Sequence, residues 1–204
     1  VLDKLDIANL ALGKLGVSLA IADYTENSVQ AKIIRRHFRM TLDTLLEKHP
    51  WNFATKFSAL SLVSEDAKEQ YRYLYSLPSD CLVLQEIAEE NKFSLVEQYE
   101  DQKYRWQELY TTGSVRVRSN VPDAFGKYTV RLDEDKSFPN YFGRALAAML
   151  AMDIAPSLIT NNFPKVKREL VNDLTAEVNE GIAQDMSRQP LRLDSLNPFV
   201  RARM

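Results

Sequence analysis

Apolar residues recur at helical spacing from Asp3 to Gly16 and, after a loop from Val17 to Glu26, again to Lys48; they lose that spacing in the middle of the chain and regain it after residue 138. From Asp3 to Gly16 the sequence places Leu5, Ala8, Leu12 and Leu15 on one stripe, which predicts an amphipathic helix stopped by Gly16 in the left-handed region. Asn27 followed by Gln30 predicts a capping box. Ala31, Ile34, Phe38, Leu42 and Leu45 then form the apolar face of a second helix. Running to Lys48, that helix has about 22 residues and a length of roughly 33 Å. It must end near His49, because a residue before proline is driven out of the helical region.

After Pro50 the period falls to two. In "FATKFSALSLVSE" Ser58, Leu60 and Leu62 share one parity, and Phe57, Ala59 and Val63 the other, as short strands require. "YRYLYSLPSDCLVLQEIA" puts Tyr71, Tyr73 and Tyr75 on one face of an extended segment, breaks at Leu77 to Asp80 and resumes from Cys81 to Ile87. "KFSLVEQY" and "KYRWQELYTTGSVRVRS" predict further strands, the latter a hairpin turning at Thr111 to Gly113, and "KYTVRL" predicts one more.

Helical spacing returns at "FPNYFGRALAAMLAMDIAPSLI", with Pro139 suited to a first turn and Pro156 at or beyond the end. Its small residues Ala145, Ala147, Ala148 and Ala151 invite the close approach of another helix. A fourth helix starts around Asn162 and carries Val166, Leu170, Leu174, Val178 and Ile182 at intervals of four. From Ser187 two prolines and no sustained period predict an extended tail.

This order predicts an α+β protein. Residues 1–50 and 138–186 form a four-helix bundle, residues 51–137 a β-rich insertion, and residues 187–204 an extended C-terminal tail.

Composition narrows the chemistry. The 204 residues carry 26 positive and 28 negative side chains, so no global basic field draws the chain to nucleic acid or acidic lipid. No apolar run approaches the roughly 20 residues that span a bilayer, which predicts a soluble chain with no membrane partner. Asp3 and Asp6 interrupt the apolar run that an export signal would need. A single cysteine, Cys81, makes an intramolecular disulfide impossible and points to a reducing compartment.

With only His37 and His49 beside Cys81, no Cys/His zinc cluster can be assembled, and no cofactor is expected. No nucleophile elbow, H-E-x-x-H helix or phosphate loop occurs. His49, Pro50, Trp51 and Phe53 are therefore read as a structural junction between helix and strands rather than a catalytic corner. The acidic turn Asp133-Glu134-Asp135 lacks the glycine and glutamate of a calcium loop and is read as solvated. Lys32, Arg35, Arg36 and Arg39 make a basic helix face, a candidate surface for an acidic partner or a phosphate backbone. The tail keeps Phe199 and Val200 among four arginines and one aspartate, a composition that gains order on a partner.

The succession of "DIANLALGKLG", "DYTENSVQAKIIRRHFRMTLDTLLEKHPWNFA", "YLYSLPSDCLVL" and "FGRALAAMLAMDIAPSLI" resembles the head–tail adaptor proteins of tailed bacteriophages, more narrowly the tail tubular protein A group of short-tailed phages. "HPWNFA" and "LPSDCL" are the most specific parts, and the strands from Glu86 to Leu132 and the tail carry no aligned motif. The resemblance implies a non-enzymatic virion protein at the head–tail interface, made in the bacterial host cytoplasm. It implies a twelve-subunit ring in the virion joining portal protein to tail nozzle protein, with double-stranded DNA only passing through the lumen; whether the free chain is a monomer or already a ring is left open by the sequence. Under it, Phe199, Arg201 and Arg203 become candidate contacts with the portal or a neighbouring subunit. Two rivals stand beside it: a virion-associated cell-wall hydrolase using paired carboxylates, and a DNA-binding module using the Lys32 to Arg39 face.

Overall fold

A computed structural model describes residues 1–17, 20–65, 71–90, 105–111, 114–159 and 163–188. The order along these residues is α1 (Lys4–Lys14), α2 (Val29–Glu47), a 3-10 turn (Asn52–Ala54), β1 (Thr55–Ala59), β2 (Ser61–Ser64), β3 (Tyr73–Ser76), β4 (Cys81–Ala88), β5 (Trp106–Thr111), β6 (Ser114–Ser119), β7 (Phe125–Val130), α3 (Asn140–Leu158) and α4 (Phe163–Ser187). The chain is α+β, with four helices and two antiparallel sheets among the described residues. The strand predicted over "KFSLVEQY" and the tail from residue 189 lie outside them. Two compact units emerge, one from Val1–Phe38 with the described residues from Ser137 on, the other from Arg39–Lys136. The division falls within α2, between Phe38 and Arg39.

In the first unit, α1 is opened by a capping box: Asp3 Oδ1 accepts from the Leu5 and Asp6 amides, and Asp6 Oδ2 from the Asp3 amide. Gly16, with φ of 71°, follows the helix in the left-handed region as expected. The inward stripe is rotated from the predicted one. Ile7, Ala8, Ala11 and Leu12 are buried, whereas Leu5 and Leu15 are half-buried. The start of α2 also differs. Ser28, not Asn27, is the cap, its Oγ accepting from the Ala31 amide at 3.2 Å while its carbonyl takes the first helical bond from Lys32.

Helix α3 buries twelve of its nineteen residues, so it is apolar all round, as a central helix must be. Both α1 and α4 pack on it. The four predicted small residues, Ala145, Ala147, Ala148 and Ala151, are all buried. Pro156 lies inside the last turn rather than at or beyond the end, and Ile159 N–H to Ala155 O closes the helix past it. The proline therefore costs one backbone bond without breaking the turn.

Helix α4 corrects a second stripe. Of Val166, Leu170, Leu174, Val178 and Ile182 only Leu170 is fully buried and the other four are half-buried; the remaining buried positions are Glu177, Gly181 and Asp185. The cause is a set of donors supplied by other helices. Lys14 Nζ reaches Asp173 at 2.7 Å and Glu177 at 3.3 Å, Arg144 reaches Glu177 at 3.0 Å, and the Tyr141 hydroxyl donates to Asp185 at 2.8 Å. A carboxylate with such partners tolerates burial that would otherwise be prohibitive.

The second unit holds both sheets, ordered β1-β7-β4 and β2-β3-β6-β5. One extended run leaves the first sheet at Ala59 and enters the second at Ser61. Leu60, at the crossing, donates its amide to Ala124 O at 2.8 Å. Its side chain lies over Gly126, where a Cβ would come within 2.9 Å of Leu60 Cδ2. Tyr75 is buried beneath the same corner and donates its hydroxyl to Val121 O at 2.7 Å. β5 and β6 pair from Trp106↔Ser119 to Thr111↔Ser114, as the predicted hairpin requires, while Thr112 and Gly113 of its predicted turn lie outside the described residues.

Candidate functional site

The residues around Pro50 build a tied corner. Once α2 ends, its last carbonyls need new donors. The Trp51 indole N–H supplies one, donating to Leu45 O at 2.9 Å. The Trp51 amide reaches back across the proline to His49 O at 2.8 Å, and the Trp51 carbonyl accepts from the Ala54 amide and the Thr55 hydroxyl. His49 stacks edge-on against the indole at 5.0 Å, and Phe53 tilts against it at 6.3 Å. Trp51 is fully buried. Among the described residues no group of three His, Cys, Asp or Glu side chains stands where it could hold a metal ion.

The "LPSDCL" step is fastened to the same stretch. Asp80 accepts from Lys56 Nζ at 2.8 Å and from the Tyr128 hydroxyl at 3.1 Å. The Lys56 bond, followed by that of Tyr128, holds the Asp80 carboxyl below the usual carboxylate range. Burial pushes the Cys81 thiol up to about 11, with the charges of Glu108 and Asp80 acting in the same direction. It is therefore protonated near neutral pH and poorly suited to nucleophilic attack.

The arginines of α2 divide into two kinds. Arg35 donates to the carbonyls of Tyr24 and Glu26, pinning the preceding loop. Arg39 donates to Leu132 O at 2.7 Å and pairs with Asp43, which also meets Arg131. Arg36 and Lys32 are exposed, beside exposed Val29 and Met40. Phe199, Arg201 and Arg203 lie outside the described residues.

A cleft between α3 and α4, lined by Asn140, Tyr141, Arg144, Glu177, Glu180 and Gly181, encloses about 60 Å³. Ligand sites usually offer about 300 to 1,000 Å³, and Arg144 and Glu177 are already paired with each other. No helix among the described residues is long and apolar enough to cross a membrane.

Two phenols give this framework an alkaline limit. Burial, then the bond to Asp185, raises Tyr141 to about 12; burial, then Asp80, raises Tyr128 to about 12. Below their unfolded value of 10.0 both phenols are neutral in folded and unfolded chains, and their contribution is fully present. As pH rises from 10.0 to about 12 the unfolded chain ionises first, so stability is lost across that window. Urea midpoints measured through it should fall, and Tyr128→Phe with Tyr141→Phe should flatten the decline. An identical slope in the double variant would show that other groups carry it.

The strand β6 carries Arg116 and Arg118. Their signal is the alternation Val115-Arg116-Val117-Arg118 on β6, with Val117 buried on the opposite face. No protein-family model matches the chain, and no curated protein matches it.

Proposed function

We propose that the chain is a structural head–tail adaptor of a tailed phage virion, acting by assembly rather than catalysis. In this reading it forms a ring, twelve subunits in the virion and monomeric when free, between portal protein and tail nozzle protein, with double-stranded DNA passing through the lumen. It is made in the host cytoplasm and resides at the head–tail interface. The four helices complete a bundle, and the C-terminal arm with Phe199, Arg201 and Arg203 reaches the portal or a neighbouring subunit. The identification rests on the resemblance of "HPWNFA" and "LPSDCL" to that family.

The observation that carries the reading is the use to which those two stretches are put. Trp51 caps and buries the corner where α2 gives way to the sheets, and Lys56, just beyond it, is ion-paired with Asp80 of the second stretch. Both motifs thus serve a scaffold, as an adaptor requires. Near-neutral charge suits a conduit too, since a strongly basic lumen would retain DNA through many phosphate contacts. Ring closure needs two different surfaces on each subunit and a rotation that divides a full turn.

Mass measurement of the purified chain, alone and mixed with its portal, tests the proposal. A monomer that enters a defined complex on mixing is expected. A chain that never binds the portal would overturn it, as would peptidoglycan clearance abolished by substitution of one glutamate in an intact fold.

A further inference from the structure

Helix α4 is fastened to the first unit differently from α1 and α3. Its fully buried positions, Leu170, Glu177, Gly181 and Asp185, fall on one stripe that holds one large apolar side chain, one glycine and two carboxylates. Val166, Leu174, Val178 and Ile182 beside it are half-buried. Side chains of the other helices meet the acids: Lys14 of α1 spans Asp173 and Glu177, Arg144 of α3 shares Glu177, and the Tyr141 hydroxyl of α3 donates to Asp185. Arg188, just past α4, lies over the Tyr141 ring at 4.6 Å. The body beneath α4 has ties of its own. Leu2 and Phe138 exchange backbone bonds of 2.9 and 2.8 Å, joining the chain before α1 to the chain before α3, and the Leu2 side chain lies over Gly143. Asn9 of α1 bonds both backbone groups of Ile21, and Arg35 of α2 holds the carbonyls of Tyr24 and Glu26. The twelve buried residues of α3 include no charged side chain.

We propose that α4 is an electrostatically fastened strap, which detaches from α1 and α3 as one unit while those two helices stay folded together, and whose release uncovers the α3 surface beneath it. Local opening is easiest where few large apolar side chains are buried, and on α4 Leu170 is the one such residue. The clasp that compensates is made of charge. Asp173 and Arg144 are 39% and 53% exposed, open enough for dissolved ions to screen their pairs. The apolar burial that holds α3 has no such sensitivity. Salt therefore acts on the strap and spares the body. The helix is about 37 Å long and leaves as a whole, because a helix forms and melts cooperatively; once free of its partners it frays in water and its amides exchange. The chain beyond residue 188 follows α4 directly, so release also moves the attachment point of that segment. The inference stands on the first unit alone and does not depend on the adaptor reading.

Amide hydrogen exchange of the full chain, read peptide by peptide by mass spectrometry and corrected for intrinsic rates, tests it. In the wild type, peptides of α4 should exchange about a hundredfold faster than those from the middle of α3. Raising sodium chloride from about 50 to about 500 mM should speed α4 by about three- to tenfold and leave α3 unchanged. Lys14→Met should speed α4 by about tenfold at the lower salt, flatten its response to salt, and leave α3 unchanged. Adding Glu177→Leu to that variant replaces two charges by apolar side chains and should slow α4 again relative to the single variant. If Lys14→Met does not fold, the wild-type salt series decides without it. One common rate for α4 and α3 in the wild type would overturn the proposal, since α4 would then open only with the whole unit. An α4 rate that ignores salt, or a Lys14→Met variant in which α3 speeds up as much as α4, would overturn it as well.

Discussion

Replacing Trp51 with alanine should lower the free energy of unfolding by about 3 to 5 kcal/mol, the range for deleting a large buried aromatic side chain. The side chain is fully buried, flanked by His49 and Phe53, and its N–H satisfies the Leu45 carbonyl. The loss therefore combines a cavity with one hydrogen bond given up at the helix end, where the Lys48 amide still donates to Leu45 O at 3.3 Å. Trp51→Phe separates the two: it retains most of the apolar volume and forfeits the N–H bond, for a cost of about 1 to 3 kcal/mol. Denaturant unfolding of the three proteins measures both terms. A loss near zero for the alanine variant would show that the indole is not part of the folded subunit's core, and would move the role of "HPWNFA" to contacts between subunits.

The second large effect is expected at Phe38. It is fully buried on α2 between Ile34 and Leu42, and Tyr24 meets its ring edge-on at 5.9 Å. Phe38→Ala should cost about 3 to 5 kcal/mol. Two residues away on the same helix, Arg36 is exposed, and Arg36→Ala should stay within about 0.5 kcal/mol of wild type. Thermal or urea denaturation of this pair measures the polarity of α2 directly. Similar losses at the two positions would contradict the burial pattern.

That pattern was the most legible part of the sequence. Ala31, Ile34, Phe38, Leu42 and Leu45 are all buried, because a long helix with one apolar stripe has only one low-energy orientation against a core. The stripe on α1 was legible in part. Ala8 and Leu12 belong to it, yet in so short a helix Ile7 and Ala11 can replace Leu5 and Leu15 through a modest rotation. On α4 the stripe is only half-buried apart from Leu170, and the deeper positions Glu177 and Asp185 read as surface residues until Lys14, Arg144 and Tyr141 arrive from distant parts of the chain. No local period reports a partner so far away in sequence.

The candidate sites divide in the same way. Pro50 announces the corner through backbone sterics alone, and the burial of Trp51 follows from its place there. The α2 arginines resemble one another in sequence, whereas the fold separates Arg35 and Arg39, bonded to carbonyls, from outward Arg36. The common side of the β6 arginines follows from the pairing register, which places residues of three strands in common rows.

The crossing at Leu60 has a consequence for how the β-region opens. Because β1 and β2 are consecutive stretches of one extended strand, with no loop between them to act as a hinge, one sheet cannot peel away without pulling on the other. Amide exchange in the two sheets should therefore be governed by a shared opening event, making the β-region one cooperative unit rather than two.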